Sequence, residues 1–412
     1  MNEFEQSGLA TYCLADKDLS GKIVEEIAND FSTSINPQLL NAYADNLRKG
    51  VRGVFGDVKY GDACYDVFNK LERNVSTFAA YKAFHATEQI KRQLTGKGTT
   101  EQCLSRAKAA LNAFNRYQAA EYNTAISRCR TAKQWVGFSA EGSRELFPNL
   151  RWLPSRSAEQ RAEHIPYYNR VWPKNDPFWA ENQPGNLWNC KCDWEETADD
   201  VDNEGVKVTP PPESLAGNPA ETGEVFTDRS IYLTANNHEK VGQSILESGD
   251  AAYYEKNCIQ GVKVRVHPMH EAIEIAGNME TASVFCAHNA EVKSITLLPN
   301  VVKANTTLRP TFYPKGMMPR GVNCNADAII EFKNGDKWLA DFKCMPGNGG
   351  NLKHRLYKAY DQADYAIVKI NGDIKDIVDI QNTSAAFMKS HPAFKGLIVY
   401  DKMDMEIVNI MK

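Results

Sequence analysis

Asp341 and Lys343 stand two residues apart in a stretch that reads as a β-strand, so both side chains point to one face. Two runs, Asp327 to Phe332 and Lys337 to Phe342, flank Asn334-Gly335, the strongest short-range signal for a hairpin. A turn centred on that dipeptide sets Asp341 opposite Ala328 and leaves Asp327 one residue short of facing it. A bend or bulge at the strand end then joins the two carboxylates. Two carboxylates beside a lysine suit metal-assisted hydrolysis of a phosphodiester. The acids hold Mg²⁺, a hard cation that takes oxygen ligands and keeps several waters. The metal stabilises charge on the phosphate and acidifies a bound water, while the lysine positions that water or neutralises the phosphorane. A further acid from the preceding helix, Glu271 or Glu274, would complete the shell.

The bare acid-x-Lys pattern says little alone. It recurs at Asp57-Val58-Lys59, Glu291-Val292-Lys293, Glu331-Phe332-Lys333 and Asp373-Ile374-Lys375, where a solvated strand face with alternating charges is the simpler reading. Asp341 differs in its context. A hairpin precedes it, and Pro346-Gly347-Asn348-Gly349-Gly350 follows, a loop that lets a phosphate backbone approach closely. Next comes an amphipathic helix, Leu352 to Ala363, with Leu352, Leu356, Ala359 and Ala363 on one face. Lys353, Arg355 and Lys358 lie on this helix with His354 among them, placed to track phosphates. Each alone also fits an ordinary solvated helix face.

The elements that must position these groups alternate in type. His270 to Met279 reads as a short helix, Ile295 to Pro299 as a buried strand, and Tyr365 to Ile370 and Gly396 to Tyr400 as further strands. The C-terminal region is therefore an α/β domain. The N-terminal region reads mainly helical: Leu40, Tyr43 and Leu47, then Phe78, Tyr81 and Phe84, have helical spacing, and Cys103 to Ile126 reads as one long alanine-rich helix carrying Tyr117, Glu121 and Tyr122. From Trp135 to Trp194 the chain is irregular and crowded with aromatics, and must fold by ring packing. An acidic run follows, then Pro210-Pro211-Pro212 and a Gly/Pro-containing stretch to about Gly223, which reads as an extended linker.

With 42% hydrophobic and 24% charged residues in 412, the chain is a globular protein of two or three domains rather than a disordered one. A net charge of -4 argues against a protein coated in nucleic acid, though a local basic groove stays open. The acidic start Met1-Asn2-Glu3-Phe4-Glu5 is unlike a signal peptide, no run spans a bilayer, and the expectation is a soluble protein of a cytosol. Ten cysteines, mostly scattered, read as reduced and partly buried thiols. Cys190 and Cys192 are paired, and with His164 and Asp176 they offer ligands for zinc. The spacing is shorter than that of common structural sites, so buried thiols and a satisfied core histidine are preferred to zinc.

Two resemblances attach to these residues. The order of a Glu-bearing helix, Leu297-Leu298-Pro299, Asn325-Ala326-Asp327-Ala328, Asp341-Phe342-Lys343 and Lys358-Ala359-Tyr360-Asp361-Gln362-Ala363-Asp364 resembles the PD-(D/E)XK nuclease fold over about residues 255 to 400. Within it, the sequence is most similar to the tRNA-nuclease toxin domain at the C-terminus of contact-dependent growth-inhibition proteins. This implies catalytic roles for Asp327, Asp341 and Lys343, with Glu271 ahead of Glu274 as the helix glutamate and Gln362 as an accessory residue; Ala326 stands where the fold's name has proline. Arg161-x-x-His164, Asp176-Pro177-Phe178-Trp179, Pro184 and Trp188-Asn189-Cys190-Lys191-Cys192-Asp193, with Gly217-Asn218-Pro219-Ala220 through Phe226, resemble the phage Mu F-like minor head (head morphogenesis) family over about 105 to 230. Leu153-Pro154-Ser155-Arg156 departs from that family's pattern.

Together they imply an α+β multidomain chain: a helical region 1–104, a Mu F-like domain 105–205, a Pro/Gly-rich linker 206–236 and a PD-(D/E)XK-like nuclease or toxin domain 237–412. The implied protein is a phage or prophage virion component inside the head near the portal, present in the host cytoplasm during assembly and after injection. Its implied partners are portal and capsid proteins, nucleic acid (tRNA ahead of DNA) and an immunity protein, with no membrane. Two alternatives stand beside it: a structural virion protein whose C-terminal domain only binds nucleic acid, and a DNase.

Overall fold

The structure, a computed structural model, describes residues 17–233, 237–302, 305 and 307–412. Cys13, the residues Met1 to Glu5 and the side chain of Cys258 lie outside the described residues. The chain divides into two compact units, Met1–Ser248 and Gly249–Lys412.

The first unit is built on α1 (Lys17–Asn29), α2 (Pro37–Phe55), α3 (Tyr65–Leu94), α4 (Thr100–Asn115) and α5 (Gln118–Phe138). Local chemistry starts these helices: the Asn36 side chain accepts the Leu39 N–H ahead of Pro37, and Thr99 and Gln102 form a reciprocal capping box. The helix expected over Cys103 to Ile126 is two, broken at Arg116-Tyr117, where Asn115 accepts hydrogen bonds from Tyr43 (3.1 Å) and Gln118 (3.2 Å) and fixes the corner. Glu121 is buried on α5, where it accepts from Lys82 and from the Tyr232 hydroxyl (2.6 Å). It is a structural ion pair, and Tyr117 beside it is exposed.

The aromatic stretch carries more backbone pairing than its sequence suggests. Strands β1 (Asn149–Leu153), β2 (Val171–Pro173) and β3 (Asp193–Thr197) form an antiparallel sheet in the order β2-β1-β3. Trp152, Tyr167, Trp172, Phe178, Trp179 and Trp194 pack around it, Trp172 stacking on Phe178 at 4.3 Å.

Where an extended linker is expected, the chain instead lies on the helices. Buried Arg128 donates to the carbonyls of Leu215 (2.7 Å), Ala216 (3.3 Å), Gly217 (3.0 Å) and Glu224 (3.2 Å), and Asn74 pairs with the backbone of Val225 and Phe226. Phe226 stacks on Phe78 at 3.9 Å. The segment folds into single turns of helix, Glu213–Leu215 and Pro219–Thr222, and an arginine with five donors satisfies carbonyls around them. Helix α6 (His238–Glu247) closes this unit rather than opening the next.

The second unit holds an eight-stranded mixed sheet in the order β11-β10-β9-β8-β7-β6-β5-β4, from β4 (Tyr254–Ile259), β5 (Val262–Val266), β6 (Val292–Leu297), β7 (Ala328–Phe332), β8 (Lys337–Met345), β9 (Tyr365–Ile370), β10 (Gly396–Tyr400) and β11 (Glu406–Met411). Helix α7 (Ile275–His288) covers one face, where Gly277 lies against Cys344. Helices α8 (Leu352–Gln362) and α9 (Ile377–Ser390) cover the other through Leu352, Leu356, Ile380 and Phe387 packed on Ala366, Val368 and Leu397. The whole is an α+β multidomain chain with a helical first part and a mixed-sheet second part. Among the described residues no helix is long and apolar enough to cross a membrane.

Candidate functional site

The hairpin between β7 and β8 decides what meets what. Its loop is Lys333-Asn334-Gly335: Gly335 N–H donates to Phe332 O (3.0 Å), Phe332 N–H to Asp336 O (2.9 Å), and Gly335 has φ 93°. A three-residue loop of this kind needs a left-handed glycine at its end. It pairs Ala328 with Ala340, one residue away from the register that a two-residue Asn334-Gly335 turn would give. Asp327 therefore comes level with Asp341 without any bulge.

Asp341 and Lys343 lie in the middle of the sheet, since β8 also pairs with β9 in parallel, Asp341 against Ala366. Asp341 is fully buried and Asp327 and Lys343 nearly so. Lys343 Nζ is 2.7 Å from Asp341 Oδ2 and 3.6 Å from Asp327 Oδ2. Asp327 Oδ2 also accepts the Phe342 N–H at 2.8 Å, so this carboxylate continues the ladder beyond the last paired residue. The Lys343 ammonium is the donor within reach of Asp341, and no backbone N–H meets its oxygens.

Electrostatics follow from that crowding. Burial pushes the Asp341 carboxyl well above the usual carboxylate range, with Lys343 opposing and Asp327 adding to the rise. Burial disfavours the Lys343 ammonium, but Asp341 and then Asp327 outweigh it and hold its pKa above that of an ordinary lysine. Glu274, the N-cap of α7 at the solvent edge, is raised by partial desolvation and then by Asp327, with Lys343 opposing. Three acids around one lysine leave excess negative charge, and the donor set is entirely carboxylate oxygen. Carboxylate oxygens are what a hard divalent cation takes, but Asp327, Asp341 and Glu274 do not draw together into one three-ligand group.

The other sequence-derived candidates fall at different distances from this centre. The helix expected from His270 starts only at Ile275, and Pro268 to Glu274 form turns; Glu274, at the start of the helix, interacts electrostatically with Asp327, Lys343 and Glu271. Glu271 accepts from Asn300, whose side-chain oxygen takes a bond from Asn325 (2.8 Å). Gln362 does not touch the carboxylates; its amide donates to Asn325 O at 3.1 Å and steadies the approach to Asp327. Lys353, Arg355 and Lys358 are exposed on α8, and Arg355 is the one whose charge reaches Glu274. His270 was not anticipated. It is buried, bonded through Nδ1 to Leu298 O (2.6 Å) and through Nε2 to Asn278 (3.0 Å), and braces the segment before Glu271. Its sequence neighbours gave no sign of that.

In the first unit, the Arg161-x-x-His164 pair meets the Trp188 to Cys192 loop. Arg161 donates to Trp188 O (3.1 Å), and His164 Nδ1 is 3.5 Å from the sulfurs of both Cys190 and Cys192. Asp176 is elsewhere, capping Phe178 N–H at 2.8 Å. Every cysteine whose side chain is described is a free thiol.

The fold and site thus define a chain with a helical unit bearing an aromatic, thiol-containing module and a mixed-sheet unit bearing a buried Asp-Asp-Lys cluster. Over 103 residues it is 27% identical to the Mu-like prophage FluMu F protein of Haemophilus influenzae, covering 23% of this chain. The chain spans about 25% of the length of that curated relative. No family model and no solved structure matches.

Proposed function

We propose that the chain is a minor head protein of a phage or prophage particle, and that residues 249–412 form a divalent-cation-dependent endonuclease acting on RNA, with tRNA as the preferred substrate. The enzymatic part is carried by one observation: the Asp341 carboxyl is fully buried in the sheet, level with Asp327, and paired with the Lys343 ammonium at 2.7 Å. The head-protein part is supported by similarity to a prophage F protein and by the meeting of Arg161, His164 and the Trp188 to Cys192 loop in one module.

Asp341 and Asp327 would hold Mg²⁺, and Glu274, at the solvent edge, adds negative charge to the site without joining them in one three-ligand group. When bound, the cation supplies charge stabilisation on the phosphate and a more acidic water. Lys343 stays an ammonium across the neutral range and steadies charge that develops on the phosphate. Gln362 holds the backbone before Asp327, and Arg355 with Lys353 and Lys358 supplies phosphate contacts from α8. In this reading the partners are portal and capsid proteins, and the host meets the nuclease after injection, with an immunity protein as its antagonist.

The test is expression of the full chain and of Asp341→Ala in bacteria, following growth and resolving total RNA and DNA on gels. Wild type should arrest growth and deplete the tRNA band, and Asp341→Ala should restore both to the level of an empty control. Intact RNA with fragmented DNA moves the site to the DNase reading. Normal growth with soluble, folded wild-type chain overturns the nuclease and leaves a structural virion protein whose second unit only binds nucleic acid.

A further inference from the structure

We infer that His164, Cys190 and Cys192 form a zinc site that clips the aromatic module of the first unit. The sequence spacing argued against zinc; the geometry removes the objection. Cys190 and Cys192 are alternate residues in the loop entering β3, and both sulfurs turn toward His164. His164 comes from the turn before Ile165–Tyr167 and sets Nδ1 3.5 Å from each sulfur, and all three ligand atoms lie within 4.8 Å of one another. All three side chains are buried.

The surroundings are those of a metal site rather than of three idle side chains. His164 Nε2–H donates to Asn186 Oδ1 at 2.8 Å, and the Asn186 amide is itself fixed on Glu181 O (3.3 Å). That bond selects the tautomer whose Nδ1 lone pair faces the sulfurs, the arrangement metal-binding histidines use. The Cys192 N–H points at Cys190 Sγ (3.4 Å), a donor suited to a thiolate. The indole N–H of Trp152, fully buried, is a further donor toward the Cys192 sulfur. Charge also balances. Binding Zn²⁺ releases one proton from each thiol, and two thiolates with a neutral imidazole leave the buried complex uncharged. Two sulfurs and one ring nitrogen are the donors tetrahedral zinc takes. Among the described residues no other His, Cys, Asp or Glu joins the group, so the fourth position falls to a solvent oxygen.

The site has a mechanical task. Residues 154 to 192 include only one three-residue strand, β2, and the metal would tie the turn at His164 to the loop entering β3.

The experiment uses the full purified chain. Zinc is measured by elemental analysis after growth in zinc-supplemented medium; the protein is then stripped with a chelator and titrated with Co²⁺. One equivalent of zinc is expected, together with a thiolate-to-cobalt charge-transfer band in the near ultraviolet that saturates at one Co²⁺ per chain. Chelation should lower the thermal midpoint of the first unit and added Zn²⁺ restore it. Cys190→Ser and Cys192→Ser should each abolish the band, while Cys129→Ser, a buried thiol away from the cluster, should keep it. Because the serine variants can fail to fold, the wild-type cobalt spectrum stands as an independent measurement. Absence of both zinc and the charge-transfer band in folded wild type, or a mass showing a Cys190–Cys192 disulfide in the isolated chain, overturns the inference.

Discussion

At Lys343 a single ammonium sits between two carboxylates that burial keeps from water. Removing that lysine does more than delete a contact, because it leaves Asp327 and Asp341 facing each other with no counter-charge. Lys343→Met should cost about 3–5 kcal/mol, the usual penalty for taking one partner from a buried ion pair. Adding Asp341→Asn removes one of the two facing charges. The double variant should therefore be more stable than Lys343→Met alone, a non-additivity expected of residues in one network. Denaturant unfolding of the second unit's tryptophan, Trp338, reads both effects. A double variant no more stable than the single would mean that the two aspartates do not repel each other through the space Lys343 fills.

At the scale of elements, the strands beside the cluster were legible because β-branched and aromatic runs end at strong turn signals: Tyr365–Ile370 and Gly396–Tyr400 lie where the sequence puts them. The register was not legible. Asn334-Gly335 fits a two-residue turn and a three-residue loop alike, and the closing bond from Phe332 N–H to Asp336 O, with that from Gly335 N–H to Phe332 O, distinguishes them. The β4–β5 hairpin went unread, and β1 to β3 escaped notice because aromatic crowding hides alternation. The segment after Pro212 misled for a related reason: proline and glycine report what a backbone cannot do, and a distant arginine decides what it does. Arg128 tests this. Burial brings its guanidinium down to about 10, still charged at neutral pH, and four carbonyls depend on it. Arg128→Met keeps the volume and removes the donors, at about 1–3 kcal/mol for each carbonyl left dry. Limited proteolysis should then cut between residues 213 and 224 well before wild type is cut there. An unchanged cleavage pattern would show that Phe226 and Asn74 hold the segment without it.

At the scale of the whole molecule, the chain joins two units whose stabilities answer to different groups, so acid should affect them separately. In the first unit His85 is half-buried on α3 and accepts a hydrogen bond from the Asn237 amide at Nε2 (2.9 Å), just before α6. Burial, the leading cause, brings its pKa below the ordinary histidine value of 6.5; the Tyr232 backbone and Glu88 oppose that fall, while Arg92 and Lys240 add to it. The folded state thus binds the proton less readily than the unfolded chain. The stability this contributes is full above pH 6.5 and is lost as pH falls through the lower folded value. Protonated Nε2 cannot accept from Asn237, so acid should loosen the docking of α6 on α3. Thermal unfolding of the full chain between pH 7.5 and 5 should show the transition of the first unit moving down. In His85→Gln, whose amide oxygen can still accept but cannot titrate, that part of the pH dependence should vanish. If the slope persists in His85→Gln, another group in the helical unit governs its response to acid, and the contact between His85 and Asn237 is neutral to pH.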